Sequence, residues 1–410
     1  MSNPITNFRD SFGTDLGNKL ITKEYLMTVY PQIANQLITS ELWVWGSGSS
    51  GALGDNTSIL KSTPVTSSAG GANWKQVSAG NNFISAIKTD GTLWCWGNNG
   101  NGQLGDNTTT SRSTPVTTFA GGTNWKQVSC GYFNTAAIKT DGTLWIWGSG
   151  TNGKLGTNDV AQRLTPVTTF AGGNDWKQVS AGRNHNAVIK TDGTLWVWGA
   201  NTFGALGIGN VTTPRCTPVT TFAGGNNWKQ VSVGGDAPTT GHTAAIKTDG
   251  TLWLWGGGGN GQLGTNNTSS RCTPVTTFAG GTNWKQVATG DSFTSATKTD
   301  GTLWTWGNNF NGQLGNNSAV DRPTPVTTFA GGTNWNQVSC GYSNIAAIKT
   351  DGTLWCWGNA SSGRLGNDIG GSTSRSTPVT TFAGGTNWKQ VDCGFSHTSA
   401  IRTSDDLQGI

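Results

Sequence analysis

Three histidines are the chain's only imidazoles, and all three occupy one place in a repeated phrase. His185, His242 and His397 each stand four residues before an isoleucine, where other copies of the phrase carry Phe83, Asn134, Phe293 and Asn344. Imidazole is the usual general base near neutral pH and a common metal ligand, but either role needs partner groups within bonding distance. Equivalent positions of separate repeat units are held apart. The expectation is therefore structural histidines, no metal site, and no catalytic residue.

Two further patterns have the outline of chemistry. "GSGSSG" (46–51), "GSGTNG" (148–153) and the run from Gly256 to Gly261 match the G-x-G-x-x-G spacing of dinucleotide sites. That spacing acts on phosphate only between a strand and a helix, and here another turn and strand follow, so no nucleotide or other cofactor is expected. The seven cysteines lack metal-ligand spacing and fall in columns that otherwise hold small or apolar residues, as Cys130, Cys340 and Cys393 do beside Ala79 and Ala181. They read as buried free thiols. No nucleophile and base stand out from the repeat background, and the chain reads as a non-enzyme.

The elements that position these residues follow from tryptophan. The pairs Trp43/Trp45, Trp94/Trp96, Trp145/Trp147, Trp196/Trp198, Trp253/Trp255, Trp304/Trp306 and Trp355/Trp357 recur at 51 residues, with one interval of 57. Each unit holds "LWCWG", "TPVTTF", "WKQVSCG" and "AAIKTD" or variants, short runs of β-branched and aromatic residues between Gly, Asn and Ser clusters. That is strand and turn punctuation, with Asp-Gly in "KTDGTL" as a hairpin signal and no room for a helix. Alternation puts both Trp of a pair on one face and Leu93 and Cys95 on the other, so each sheet is apolar on both faces. Seven small sheets buried on both faces are satisfied by a closed radial arrangement, with both members of each Trp pair packed between neighbouring blades.

The predicted fold is therefore all-β: a closed seven-bladed propeller of four-stranded antiparallel blades spanning 38–410. Repetition starts in mid-unit at "ELWVWG" and stops at "SAIRTSDDL". The strand at 42–46 is expected to complete the blade formed by residues 376–403. Residues 1–37, including "ITKEYLMTVYPQIANQL", are expected to form a separate anchoring or assembly extension.

Charge narrows the partner classes. Charged residues make up 11% of the chain, against about 25% in ordinary globular domains. The excess of 26 basic over 21 acidic residues is spread through rings, at the Lys of "WKQV", the Lys of "IKTDG" and the residue before Thr-Pro. Spaced rings do not make a nucleic-acid patch, and nucleic acid is not an expected partner. No apolar run is long enough to span a membrane. Between the seven copies, two loops vary: the "GYFNT"-type turn and the stretch from "GNNGNGQLG" to "SRSTP". Tyr132, Phe133, Arg183, His185, Asp291, Phe293, Tyr342 and Phe395 lie in or beside the first, and Pro238 centres a longer version in unit four. Repeated around a rim, this mixture suits a protein or glycan partner.

The phrase "AAIKTDGTLWxWGxNxxGQLG" followed by Thr-Pro resembles the regulator of chromosome condensation repeat, over residues 38–403. The resemblance implies a seven-bladed propeller. Its functions range over a nucleosome-bound exchange factor for the Ran GTPase, a plant ultraviolet-B receptor and a bacterial inhibitor of β-lactamase. The receptor's sensing tryptophans lie in the turn before "AAIK", and no copy here has Trp in that turn. The exchange factor carries a basic tail, whereas residues 1–37 hold three basic and three acidic residues. The leader itself is similar to those preceding such repeats in virion proteins of tailed phages infecting cyanobacteria. The expectation is a structural or binding propeller on a phage virion, made in the host cytoplasm. It would contact other virion proteins through 1–37 and a host-surface protein or glycan through the variable loops. The alternative is a cytoplasmic protein-protein interaction propeller, an inhibitor or a GTPase regulator.

Overall fold

A computed structural model describes residues 39–68, 72–235, 241–368 and 373–403. It contains seven four-stranded antiparallel sheets arranged as the blades of a closed propeller. A representative blade runs from the centre outward as Trp74–Ala79, Phe83–Lys88, Leu93–Gly97 and Arg112–Thr117. Ile84 faces Trp96 and Ala86 faces Trp94 across the middle pair. The outer strand pairs Arg112 with Gly97 and Val116 with Cys95, with an irregularity between them. Pro115 lies in that irregularity, and a residue without N–H is tolerated at an edge strand.

The Asp-Gly turn forms as the sequence requires. Gly91 has φ +80°, and a Cβ there would lie 2.0 Å from the Thr123 carbonyl of the next blade, so only glycine fits. Asp90 Oδ1 accepts the Thr92 N–H at 2.9 Å and the Thr92 hydroxyl at 2.7 Å, and Trp94 Nε1 donates to that hydroxyl at 2.9 Å. The Lys88 ammonium sits over the rings of Trp74 and Trp94, 4.9 and 5.2 Å from their centroids. Arg402 takes this place in the closing blade, over Trp43 and Trp388.

Each interface between blades sets the Leu face of one against the Trp face of the next. Leu93, Cys95 and Leu104 pack with Trp125, Val128 and Trp147, and Trp145 joins from the edge. The pairs pack between blades, the second member at the centre of each interface and the first at its edge. Trp45, Trp96, Trp147, Trp198, Trp255, Trp306 and Trp357, the second of each pair, are completely buried. None of these seven is open to a partner, so they are packing groups and not surface site residues. Each also donates its indole N–H to a carbonyl in the preceding blade's loop. Trp45 reaches Arg364, Trp147 Gln103, Trp255 Ala205, Trp306 Gln262 and Trp357 Gln313, all at 2.9 Å. Trp198 reaches Lys154 at 2.8 Å and Trp96 reaches Ala52 at 3.1 Å. The first member of each pair is only half-buried, because it lies nearer the blade's lower end, where the preceding blade no longer covers it fully and a lysine or arginine does.

Closure differs in detail from the sequence reading. The closing blade runs outward as Trp388–Cys393, His397–Thr403, Ser40–Gly46 and Lys61–Thr66. Each chain end gives two strands, and Arg375–Thr380, expected in this blade, is instead the outer strand of the preceding one. The Thr-Pro strand pairs with the Trp-pair strand that immediately precedes it in sequence, which fixes the blade boundary after it. Among the described residues the loop between those two strands also holds a single 3-10 turn in four blades, such as Thr151–Gly153, where no helical turn was expected. No described helix is long and apolar enough to cross a membrane.

Candidate partner-binding site

The antiparallel order fixes what lies at each end of the propeller. The turns between the first and second strands lie at one end, here called the upper face, where the loops that join third to outer strands also begin and end before folding down along the blade interface, as Leu104 does against Leu93 and Trp125. The Asp-Gly turns and the connectors from each outer strand to the next inner strand lie at the lower face. Inner strands begin at the lower face with Trp and end at the upper face, so the "GYFNT"-type turns converge on the mouth of the central channel. They do not spread around an outer rim as expected, because they follow the innermost strand.

The channel wall is built from side chains bonded to the neighbouring blade's backbone. Gln76 donates to the Val128 carbonyl and accepts the Val128 N–H, both at 2.9 Å. The same two-bond pairing recurs around the ring and closes with Gln390 on Val77, both bonds at 3.0 Å. Two residues further along each strand, Ser78 accepts the Cys130 N–H at 3.0 Å and Ser339 accepts the Cys393 N–H at 3.0 Å. In the closing blade this place is Asp392, whose Oδ1 also accepts the Ser339 hydroxyl at 2.8 Å. The channel encloses about 220 Å³, lined by Ser129, Ser180, Ser232 and Asp392 among others. Burial pushes the Asp392 carboxyl up to about 6, against the opposing hydrogen bonds from Ala79 N–H and the serine hydroxyls.

Six residues at one repeat position ring the upper mouth, Asn81, Tyr132, Arg183, Gly235, Tyr342 and Phe395, and Asp291 holds that repeat position in the remaining unit. Four of them form a continuous stack. The Arg183 guanidinium lies 4.1 Å from the Tyr132 centroid, Tyr132 meets Phe395 edge-on at 5.5 Å, and Phe395 meets Tyr342 at 4.5 Å. The short Asn81 between Tyr132 and Phe395 in ring order lets these two meet across it. Phe133 packs edge-on against Tyr132 at 4.3 Å.

Two buried cations hold the mouth from beneath. Lys154 Nζ donates to the Arg183 carbonyl at 2.9 Å, and an Arg364 guanidinium N–H donates to the Phe395 carbonyl at 2.8 Å. They are 1% and 6% exposed. Burial lowers Lys154 to about 8, with the Arg183 charge adding to it, and lowers Arg364 to about 10. Sequence reasoning missed both, although they stand out where other units carry Ala52, Gln103, Ala205, Gln262 or Gln313. Asp392 was missed likewise, as the one acid in a column of Ser and Ala.

The remaining candidates separate from the mouth. His185 is buried, bonded through Nε2 to Thr243 Oγ1 at 2.8 Å, and burial lowers its pKa to about 3. Phe293 is fully buried, its ring lying where a Cβ on Gly290 would be. Both point into a blade interface because strand alternation turns their column inward. Asp291 accepts the Ser292 hydroxyl at 3.1 Å. Pro238 lies outside the described residues, as do residues 1–37.

The thiols fit the sequence reading in part. Cys95, Cys130, Cys356 and Cys393 are buried while Cys216, Cys272 and Cys340 are half-buried, and all seven are free. Burial raises the Cys130 and Cys340 thiols to about 12, far from the thiolate form that nucleophiles need. Among the described residues no three His, Cys, Asp or Glu side chains are grouped to hold a metal. The cations before Thr-Pro are offset in several blades, as where Arg112 meets Asp106 at 3.0 Å.

Known proteins share this architecture. The regulator of chromosome condensation (RCC1) repeat matches residues 40–87, 90–138, 141–189, 192–246, 249–297, 300–348 and 351–401. The chain is 31% identical to Ultraviolet-B receptor UVR8 of Arabidopsis thaliana over 341 residues, covering 82% of this chain and 76% of that protein. It is 27% identical to the RCC1 domain-containing protein RUG3, mitochondrial, of the same plant, covering 84% and 83%. It is also 27% identical to human E3 ubiquitin-protein ligase HERC2, covering 90% of this chain but 8% of that protein. Among solved structures, yeast RCC1 (Prp20) bound to Kap60 superposes with a TM-score of 0.78 at 18% identity, covering 90% of this chain and 91% of that one. Human WBSCR16 superposes with a TM-score of 0.74 at 21% identity, covering 88% and 98%. At these identities the solved structures share the fold alone. Seven consecutive repeat matches span nearly all the described residues, and the chain belongs to the regulator of chromosome condensation (RCC1) repeat family.

Proposed function

We propose that this chain is a non-enzymatic protein-binding propeller whose partner docks on the upper mouth of the channel. The observation that carries the reading is the stack of Arg183, Tyr132, Phe395 and Tyr342, held from beneath by Lys154 and Arg364. Tyr and Arg are the residues most enriched at the energetic centres of interfaces, and a rigid backing lowers the ordering cost of binding. The cationic end of the stack suits a partner loop bearing a carboxylate beside an apolar side chain.

The relatives support the cellular interaction reading over the virion appendage. One related propeller was solved bound to Kap60, and another structure of it was described with its binding to Gsp1p and histones. The curated relatives named above are plant and human proteins. The virion reading draws on residues 1–37 and on the near-identical units with their neutral Thr/Asn/Gly surface, and no match named above supports it.

Photo-crosslinking from the mouth tests the proposal. A crosslinker placed at Asn81 is expected to capture a protein that one placed at Asp141, on the lower face, does not. Tyr132→Ala with Arg183→Ala should weaken the isolated complex by at least roughly tenfold. Equal capture from both faces, or binding indifferent to the double substitution, would overturn the assignment.

A further inference from the structure

The connectors on the lower face carry a second surface, independent of the mouth. Phe119, Phe170, Phe222, Phe278, Phe329 and Phe382 stand at one repeat position and are 66% to 72% exposed. The backbone beneath each is fixed, since the Phe119 N–H bonds the Gly105 carbonyl at 2.8 Å and its equivalents bond likewise at 2.7 or 2.8 Å. The first unit has Ser68 there with the same backbone bond, at 2.7 Å. Phenylalanine is therefore not needed to build the connector. Among the described residues none of the six rings stacks on another aromatic ring.

Equivalent places on pseudo-equivalent blades lie on one annulus, at the outer end of the lower-face connectors, where the Phe222 ring borders the loop residue Gly209. The same face carries an inner ring of exposed lysines at the second residue of the inner strands, Lys75, Lys126, Lys177, Lys229, Lys285 and Lys389. The Asp-Gly turns offset their own lysines, as Asp90 does Lys88, which leaves this inner ring as the surplus charge. Separated aromatic rings around a cationic centre do not make the continuous apolar stripe that a peptide partner fits. A second copy set face to face would place lysine ring against lysine ring. An anionic bilayer is complementary to both, taking aromatic rings at the headgroup boundary and ammonium groups at the lipid charge.

We propose that the lower face docks on the surface of anionic membranes. The full chain is expected to co-sediment with vesicles of phosphatidylcholine and phosphatidylserine, to bind phosphatidylcholine alone weakly, and to be released by salt. F119S/F222S/F329S should lose at least roughly tenfold in partitioning while keeping its melting temperature, as the Ser68 unit implies. F170S/F278S/F382S provides a second set should the first fail to fold. Replacing Lys126, Lys229 and Lys285 by Gln should remove the preference for phosphatidylserine, whereas Arg183→Ala on the opposite face should leave vesicle binding intact. Three results would overturn the proposal: no co-sedimentation, binding undiminished in both Phe variants, or a solution dimer that the Phe variants dissolve. Because the mouth is tested separately, failure here leaves the upper-face reading standing.

Discussion

Asp392 Oδ2 accepts the Ala79 N–H at 2.8 Å, joining the last inner strand of the chain to the first. Between five of the other blade pairs the equivalent acceptor is a neutral hydroxyl, as Ser78 is for Cys130, and in the sixth the position is Ala288. Among the described residues, the seam where the ring closes thus carries the one carboxylate in the channel wall.

That carboxylate makes the seam lose stability as pH rises from about 4 through 6. Its folded pKa of about 6 lies above the ordinary carboxylate value of 3.8, so the folded state holds the proton more tightly. The resulting contribution is fully present below the unfolded pKa and is lost as pH rises through 6. Asp392→Ser, which keeps an acceptor for Ala79, is expected to stabilise the protein at pH 7 to 8 by about 1 to 2 kcal/mol, after discounting for channel water. Below about pH 4 it should give no gain. Thermal melts across that range decide it, and a gain that is constant with pH would refute the assignment.

His397 acts in the opposite direction on the same blade. His185 and His242 bond hydroxyls of Thr243 and Thr294 on the next blade, but the equivalent residue across the seam is Ile84. His397 is fully buried, and its ring meets the Phe83 backbone where the other two meet a hydroxyl. Burial, reinforced by the Arg364 charge, lowers its pKa to about 4. The unfolded chain therefore binds the proton first, and stability falls as pH drops from about 6.5 toward 4. His397→Phe, which copies Phe83 and Phe293 of the same column, should flatten the melting temperature over that window. A parallel decline in variant and wild type would locate the acid sensitivity elsewhere.

What the sequence made legible was periodic. The Trp pairs, the Asp-Gly turns and the interrupted units at each end specify blades, faces and closure, because each is a local pattern with one structural solution. Radial position was not legible, since nothing local to "GYFNT" says whether its strand is innermost or outermost. Pro115 and its equivalents carried the missing information, because a strand bearing proline belongs at the edge. Read that way, the Thr-Pro strand ends a blade, "WKQV" begins the next, and the variable turns fall at the channel. Phe119 and its equivalents were hidden for another reason. They end an apolar run that reads as strand, and only the connector geometry turns them out to solvent. His185 and Phe293 went astray because a column that alternates His, Phe and Asn resembles a variable surface. The mixture reflects what fits between a glycine and the neighbouring blade.

The glutamine ring should show whether the seam is the weak interface. Gln390 and Gln178 make the same pair of backbone bonds, one across the seam and one between sequence-adjacent blades. Each Gln→Ala leaves a buried N–H and carbonyl without partners, at a cost of about 1 to 3 kcal/mol. Gln390→Ala is expected to lower the unfolding midpoint and to promote aggregation, because loosening the seam exposes strand edges. Gln178→Ala should lower the midpoint without aggregation. Matching light-scattering profiles for the two variants would show that the ring has no preferred opening point.

The contact between Gly105 and Trp147 tests how tightly the blades are fitted. Gly105 has φ +70°, and a Cβ there would stand 2.7 Å from Trp147 Nε1, the atom that donates to the Gln103 carbonyl at 2.9 Å. Gly105→Ala imposes both backbone strain and this clash, and is expected to cost about 2 to 4 kcal/mol. Trp147→Ala removes the whole indole, including the five-membered ring that the new methyl would strike, but it leaves a void beside Leu104 and leaves the Gln103 carbonyl with the Thr135 hydroxyl alone, at a cost of about 3 to 5 kcal/mol. Together the substitutions relieve each other in part, since the methyl enters space the indole has vacated. The double variant should therefore be more stable than the sum of the singles by about 1 to 2 kcal/mol, measured by denaturant unfolding. Strict additivity would mean that the glycine serves its φ angle alone and that the indole does not set the blade spacing at this loop.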